Sequence, residues 1–588
     1  VFDRLQRCGV TLNYDSGRDL QMAAGAHFEE ELVQCVKSGK RFRIVGDNIN
    51  WTFGVGEERS DHKARMHHAF GSIAVVQNVS FDDLPDVTPQ RSWLSANPED
   101  FLLNSVEWDE IKMEYVNLIA RVAVRLVPSL QFLGCVSKPI LGKYSEQLKS
   151  KNKVIPLPIL HKNEQYLAEV VPIMDMYEDI VQTTYKAAGV PLGRIHVGGD
   201  QMTRERFTGA KRARLGHEIP GQDFCHLGPI SFELFHMLMK YMELNFEQLY
   251  HKTSTKSGTL KAEAIRLGRS SVDPDVRKAY AADKDFFVTF ADGYIVEALL
   301  TFFEMKDINS MPNRMPPQDV DQAEWVTAVL MDFVTTYLPT PTTINSTIVD
   351  GHVVNVKLRN GEIMQVLIPL KQDRVKNYGH RVLEVGLLFK AWLDVIKLPD
   401  RDRTMKYLKY IMLIFRAQHS KGKYAFEVMR LLVNQLVSLS SREAHQEFYG
   451  MFVNTAGRID SHVPADEQME WVVGKTKKHV KHMFSNKTET NINRRTRAFA
   501  GVAQVADNYD VETDVLTRCH RHSHLSSTAD ELKLLASLRE LRPFVYQPGR
   551  AYREFADIVP SATTAADLES MKKWIKKNLF KCATELAN

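Results

Sequence analysis

Two short stretches share a pattern capable of metal chemistry. Arg43-Ile-Val-Gly-Asp-Asn-Ile-Asn50 and Arg194-Ile-His-Val-Gly-Gly-Asp-Gln-Met-Thr203 are each a brief β-prone run that ends in glycine and then aspartate. Two carboxylates at the ends of adjacent strands can hold a pair of divalent ions. Such pairs cut and join phosphodiesters, one ion activating the attacking water or 3′-hydroxyl and the other stabilising the leaving oxygen. The donors must be oxygens, because Mg²⁺ is a hard cation with near-octahedral oxygen coordination. Asp47 and Asp200 are therefore the first candidate catalytic ligands, for Mg²⁺ or Mn²⁺. The competing reading makes each a turn aspartate that caps the next element. Gly46, Gly198 and Gly199 would let backbone or substrate come close to the two acids.

A third acid is expected downstream. Pro464 can open a helix, and Asp466 and Glu467 suit its first turn through the helix dipole. Glu470 lies four residues after Asp466 and shares its face. The order of preference is Glu470, then Asp466, then Glu427 in Tyr424-Ala-Phe-Glu427. Helix capping alone would also account for the charged helix start.

Basic residues follow both candidate ligands. Residues 475–497 hold eight Lys or Arg and one acid, including Lys475, Lys477, Lys478, Lys481, Arg494, Arg495 and Arg497. Arg204, Arg206, Lys211, Arg212 and Arg214 come directly after Asp200. Such groups neutralise DNA phosphates, and Asn, Thr and Ser among them can add neutral phosphate contacts. A solvated helix face is the plain alternative. Cys519, His520, His522 and His524 form the one Cys/His cluster, without a CxxC or HxxxH partner set; zinc stands there against a polar loop. His226 and His236 flank a helix start and read as core or site residues. No P-loop, GxGxxG, GxSxG or HExxH is present, so ATPase, Rossmann, serine-hydrolase and zincin readings lack support.

A chain of 588 residues is several domain-sized units long. With 44% hydrophobic and 25% charged residues it is ordinary for a soluble globular protein. No run of about 18 apolar residues appears, so no membrane is expected as a partner. The six cysteines are dispersed, which argues for a reducing compartment. The net charge of +4 diagnoses nothing by itself. The chain begins at Val1 rather than methionine, which reads as an excised segment.

Residues 1–40 read as helical, followed by strands at 41–51 and 72–79 that can pair as a hairpin. A proline-bearing edge strand is expected at 154–160, a helix at 164–188, a strand at 193–199, a basic helix at 203–215, a strand at 223–227 and a helix at 230–247. Helical patterns then dominate, at 274–282, 285–306, 323–337, 380–395, 403–418 and 423–440. A hairpin interrupts them, 353–358 with 363–368 around Asn360-Gly361. A further helix is expected at 466–484. The expected fold class is α/β: an RNase H-like core with a mixed sheet, interrupted by a large, mostly helical insertion. The division is a helical segment 1–40, a first core part 41–250 with a helical excursion at 82–152, an insertion 251–450, a core-completing helix with basic run 451–500, and a helical region 501–588.

Several short motifs together resemble a transposon-linked family similar to the KDZ and hAT groups of DDE transposases. They are DNIN at Asp47 to Asn50, GDQMT at Gly199 to Thr203, GTL at Gly258 to Leu260, FVNTAG at Phe452 to Gly457, the PADEQME helix followed by lysines, and PGRAYREF at Pro548 to Phe555. The resemblance implies a nuclease core that uses Mg²⁺ or Mn²⁺ to cut and join DNA. Asp47 and Asp200 match its first two acids, and Glu470 the third. It also implies a nuclear enzyme that works as a homo-oligomer. A zinc-binding N-terminal DNA module of the hAT kind is not seen, which fits trimming or a departure from that plan. The rival expectation is a catalytically inactive, domesticated DNA- or protein-binding factor with the same fold, in which both aspartates are turn residues.

Overall fold

A computed structural model describes the chain except residues 1, 26–27, 54–56, 62, 217–221, 339–350, 358–362, 370–372, 419–420, 482–487, 489, 493–525, 564–566 and 587–588. Three helices come first, α1 (Phe2–Gln6), α2 (Tyr14–Gly25) and α3 (Phe28–Lys37). Strands β1 (Phe42–Phe53) and β2 (Arg65–Val76) precede helix α4 (Ser105–Leu126). Then follow β3 (Val154–Pro156), α5 (Leu167–Ala188), β4 (Ile195–Gly199), α6 (Gln201–Ala213), β5 (Leu227–Phe232) and α7 (Leu234–Leu249). The helical stretch continues with α8 (Leu260–Arg266), α9 (Val276–Phe302) and α10 (Gln322–Tyr337). After the hairpin β6 (Gly351–Lys357) and β7 (Ile363–Pro369) come α11 (Arg374–Lys397), α12 (Arg401–Ala417), α13 (Gly422–Val433) and α14 (Ser441–Gly450). A short pair, β8 (Phe452–Asn454) and β9 (His462–Pro464), leads into α15 (Ala465–Lys481), and α16 (Thr528–Leu541) and α17 (Leu568–Leu586) close the chain.

The protein is thus mixed α/β and built on a five-stranded mixed sheet of order β3-β2-β1-β4-β5. β1 runs antiparallel to β2 and parallel to β4, β2 antiparallel to β3, and β4 parallel to β5. β1 is rich in β-branched and aromatic residues, and its side chains alternate between two cores. Phe42 and Ile44 pack with Leu32 and Val36 of α3, Ile173 and Tyr177 of α5, and Phe207 of α6. Val45 and Ile49 face the other way, against Met469 and Val473 of α15. The late helix therefore covers the second face of the sheet. A larger third core joins α4, α7, α9 through α14, α16 and α17. Residues of the 82–152 excursion and of the C-terminal region pack into this helical body rather than against the sheet.

Several element boundaries differ from expectation. β2 begins at Arg65 rather than at residue 72, because its outer half pairs with the far end of β1 despite the polar His67 and His68. The strand expected at 223–227 is a loop, and β5 lies at Leu227–Phe232 instead. Gly228 and Pro229 look like breakers, but β5 is an edge strand, where proline removes no ladder bond that the sheet needs. The helices expected at 274–282 and 285–306 are one helix, α9, with a kink at Ala279. The hairpin strands pair as expected, Lys357 opposite Ile363, and their turn at 359–361 lies outside the described residues. No described helix is long and apolar enough to cross a membrane.

Candidate metal centre

Strand register brings the two aspartates side by side. Ile44 pairs with Val197 and Val45 with Gly198. Asp47 and Asp200 each follow Ile44 and Val197 by three residues, on neighbouring strands about 4.8 Å apart. Asp200 lies just past the end of β4, but Asp47 sits midway along β1, paired with Gly71, so the strand end expected at Asp47 is corrected. Asp47 has the parity of Val45 and Ile49, so it points to the face covered by α15. There it meets Glu470, which adjoins the buried Met469. One ligand atom each from Asp47, Glu470 and His236, in the first turn of α7, lie within 4.8 Å of one another. All three residues are partly buried.

The electrostatics are those of crowded carboxylates. Burial holds the Asp47 carboxyl well above its usual range, and the charge of Glu470 and then of Asp200 adds to this, with His236 opposing. Burial alone would lower His236, but its hydrogen bond to Asp466 and the charges of Asp466, Asp47 and Asp200 raise it to about 10. The imidazolium therefore acts as the counter-charge of the acids. Asp466 fixes its orientation: Oδ2 accepts from His236 Nδ1 at 3.0 Å and from His236 N at 3.0 Å, and Oδ1 accepts from Phe235 N at 3.1 Å. Nε2 is left 3.8 Å from Glu470 Oε1.

These bonds correct one expectation. Asp466 is a candidate metal ligand by sequence, but both of its oxygens are committed to the N-terminus of α7, where a carboxylate satisfies orphan amides. Its part is to orient His236. Glu427, the third-ranked acid, is also removed, because its carboxylate is buried in an ion pair with Arg204. Asp200 does cap α6, with Oδ1 accepting from Thr203 N at 2.7 Å, so the capping reading holds for one of its oxygens. It nonetheless bears electrostatically on Asp47, His236 and Glu164.

Glu164 is a residue that sequence reasoning missed. Fully buried, it accepts from Asn48 Nδ2 and, at 2.7 Å, from Thr203 Oγ1. It thus ties the two aspartate motifs together from beneath. Burial first, then the charge of Asp200, raises it to about 7 against the pull of the Thr203 and Asn48 hydrogen bonds. No local pattern marks it, since its partners lie in two other segments. The glycines serve packing rather than substrate approach. A Cβ at Gly46 would strike Phe70 and Tyr177, and one at Gly198 would strike Glu233 and Arg43, which pair with each other.

The basic residues divide. Arg204 is expected at a phosphate, yet it is buried against Glu427. Lys211 is largely buried too, its Nζ donating to Leu227 O at 2.9 Å, and burial lowers its pKa. Arg206 and Arg212 are exposed and line an open cleft of about 630 Å³ with Lys423 and Lys581, two lysines that the sequence reading did not single out. Lys475, Lys477, Lys478 and Lys481 are exposed along α15, and Lys475 Nζ sits 4.0 Å from the ring centre of the exposed Trp471. Arg494, Arg495, Arg497 and the cluster Cys519, His520, His522 and His524 lie outside the described residues.

Fold and site together define a mixed α/β protein with an acid-lined, histidine-supported centre beside the end of β4. The chain belongs to DUF6589, a family of unknown function, whose sequence profile matches residues 94–522. That stretch includes Asp200, His236 and Glu470 and leaves out β1 with Asp47. No curated protein and no solved structure matches the chain.

Proposed function

We propose that this chain is a metal-dependent phosphoryl-transfer protein of the DDE type, acting on DNA as a transposase or transposon-derived nuclease. The observation that carries the reading is the meeting of Asp47 and Glu470 with His236, drawn from remote parts of the chain, with Asp200 on the neighbouring strand near enough to raise Asp47 electrostatically. The sheet order β3-β2-β1-β4-β5, three antiparallel strands followed by two parallel ones, and the late helix α15 on its second face support an RNase H-like core.

The donor set fits a hard divalent ion. Carboxylates predominate, and their mutual repulsion adds to burial in raising Asp47. The imidazole of His236 among them favours Mn²⁺ over Mg²⁺ if its Nε2 is deprotonated on binding. Asp47, Asp200 and Glu470 would hold the ions, which supply activation of the attacking oxygen and charge on the leaving one. The chain's own work is positional. Glu164 links the two aspartate segments, Asp466 sets the ring of His236, and His236 balances the acids before metal arrives. Arg206, Arg212, Lys423 and Lys581 in the cleft, and the lysines of α15, would hold backbone phosphates on either side.

Titration calorimetry with Mn²⁺ tests this on the wild type, Asp47→Asn and Asp200→Asn, each checked by circular dichroism. Binding that is lost in both variants is expected. A second reading, a non-catalytic DNA- or protein-binding factor of the same fold, is favoured by the capping bond from Thr203 N to Asp200. A folded wild type that takes up no Mn²⁺, with or without DNA, would leave that reading standing.

A further inference from the structure

A second cluster lies at the opposite end of β4. His226 O accepts from Ile195 N, the first residue of that strand, whereas Asp200 follows its last. Here Glu178 of α5 and Cys225 and His226 of the loop before β5 each offer a ligand atom, all within 4.8 Å of one another. Cys225 Sγ is 3.4 Å from His226 Nδ1, and His226 Nδ1 also contacts Glu178 Oε1 closely. Glu178 is 4% exposed, and its Oε2 is buried without a hydrogen-bond partner among the described residues. A buried carboxylate oxygen left unpaired costs free energy, because it has given up water without gaining a partner. Such an atom in the company of a thiol and an imidazole has the chemistry of a missing ligand bond. Asp223 adds a further oxygen beside the thiol, Oδ1 accepting from Cys225 N at 3.1 Å, and Lys211 lies close to all three acidic groups.

We propose that Glu178, Cys225 and His226 bind a Zn²⁺-class ion, with Asp223 or water in the fourth position. Sulfur, nitrogen and oxygen donors together suit a borderline-soft dication in tetrahedral coordination and not Mg²⁺. The charges agree: thiolate, two carboxylates and Lys211 leave a deficit that one dication cancels. The ion takes the place of the close contact between His226 and Glu178 and takes up the orphan oxygen. It ties α5 to the start of β5 and so secures the sheet edge. This site shares no ligand with the acidic centre and stands or falls independently of it.

The test is Co²⁺ titration of the full metal-stripped chain, followed by the thiolate-to-cobalt absorption band, which oxygen and nitrogen ligands of the acidic centre do not produce. Wild type and Cys519→Ser should both give the band, the latter excluding the downstream Cys/His cluster as its source. Cys225→Ser, folded by circular dichroism, should lose it. Glu178→Gln preserves side-chain shape and should weaken Co²⁺ binding by about tenfold or more. That variant decides the matter should Cys225→Ser fail to fold. No band in folded wild type, a band that survives Cys225→Ser, or unchanged affinity in Glu178→Gln overturns the proposal.

Discussion

Replacing Asp47 with asparagine should stabilise the metal-free protein and abolish its response to Mn²⁺. In the folded chain Asp47 is raised by burial and by the charges of Glu470 and Asp200, with His236 offsetting part of this. A like charge within 4.8 Å repels by about 3 kcal/mol at an effective dielectric of about 20. His236 cancels about one of the two repulsions, so the amide should relieve roughly 1–3 kcal/mol at pH 7. The introduced asparagine keeps an oxygen for the local bond that Asn48 N makes to Asp47 Oδ1 at 2.7 Å, so little is lost in exchange. The sign follows from the direction of the shift. A carboxyl raised by folding contributes stability in full below its unfolded pKa and loses it as pH rises, so the advantage of the amide should fade as pH falls towards about 4. Saturating Mn²⁺ should reverse the ranking, since 1,000-fold excess over Kd adds about 4.1 kcal/mol to wild type alone. Thermal melts of both proteins in chelator and in Mn²⁺, at pH 4.5 and 7, read all of this out. A variant less stable than wild type in chelator at pH 7, or one that gains as much from Mn²⁺, would refute the electrostatic reasoning.

Other consequences concern the support of the site. Arg204→Ala should cost about 3–5 kcal/mol in a urea melt, because it strands the buried carboxylate of Glu427; a stable variant with weakened DNA binding would show that Arg204 contacts phosphate after all. The double variant Arg206→Ala/Arg212→Ala should keep wild-type stability and reduce the salt slope of DNA affinity by about two, and an unchanged slope would remove the cleft from the DNA path. Glu164, raised from 4.5 to about 7, carries stability that is present below pH 4.5 and lost as pH rises to 7. Glu164→Gln should flatten that loss by up to about 3 kcal/mol, whereas parallel pH–stability curves would mean that Glu164 is not protonated in the fold.

What the sequence disclosed depended on whether the signal was local. Strand–glycine–aspartate runs at Asp47 and Asp200 are local, and so is the helix periodicity that puts Glu470 beside a buried Met469. The edge character of β3 and the Asn-Gly hairpin can be read in the same way. The rest needs the fold. Asp466 looks like a ligand on helix spacing alone, and only its bonds to Phe235 and His236, some 230 residues away, reveal it as an orienting group. Arg204 belongs to a basic run by sequence, but a glutamate 223 residues further on takes it inward. Glu164 leaves no trace because its meaning lies in joining Asn48 to Thr203. β5 is displaced when Gly228-Pro229 is read as an end, whereas edge position makes both residues tolerable.

The most direct test of the central claim is nicking of supercoiled DNA by wild type, Asp200→Asn and Glu470→Gln, in Mg²⁺, in Mn²⁺ and in chelator. Wild type should nick only with a divalent ion, and neither variant should nick although both fold and bind DNA. Nicking by Asp200→Asn at the wild-type rate, or by wild type in chelator, would contradict the claim.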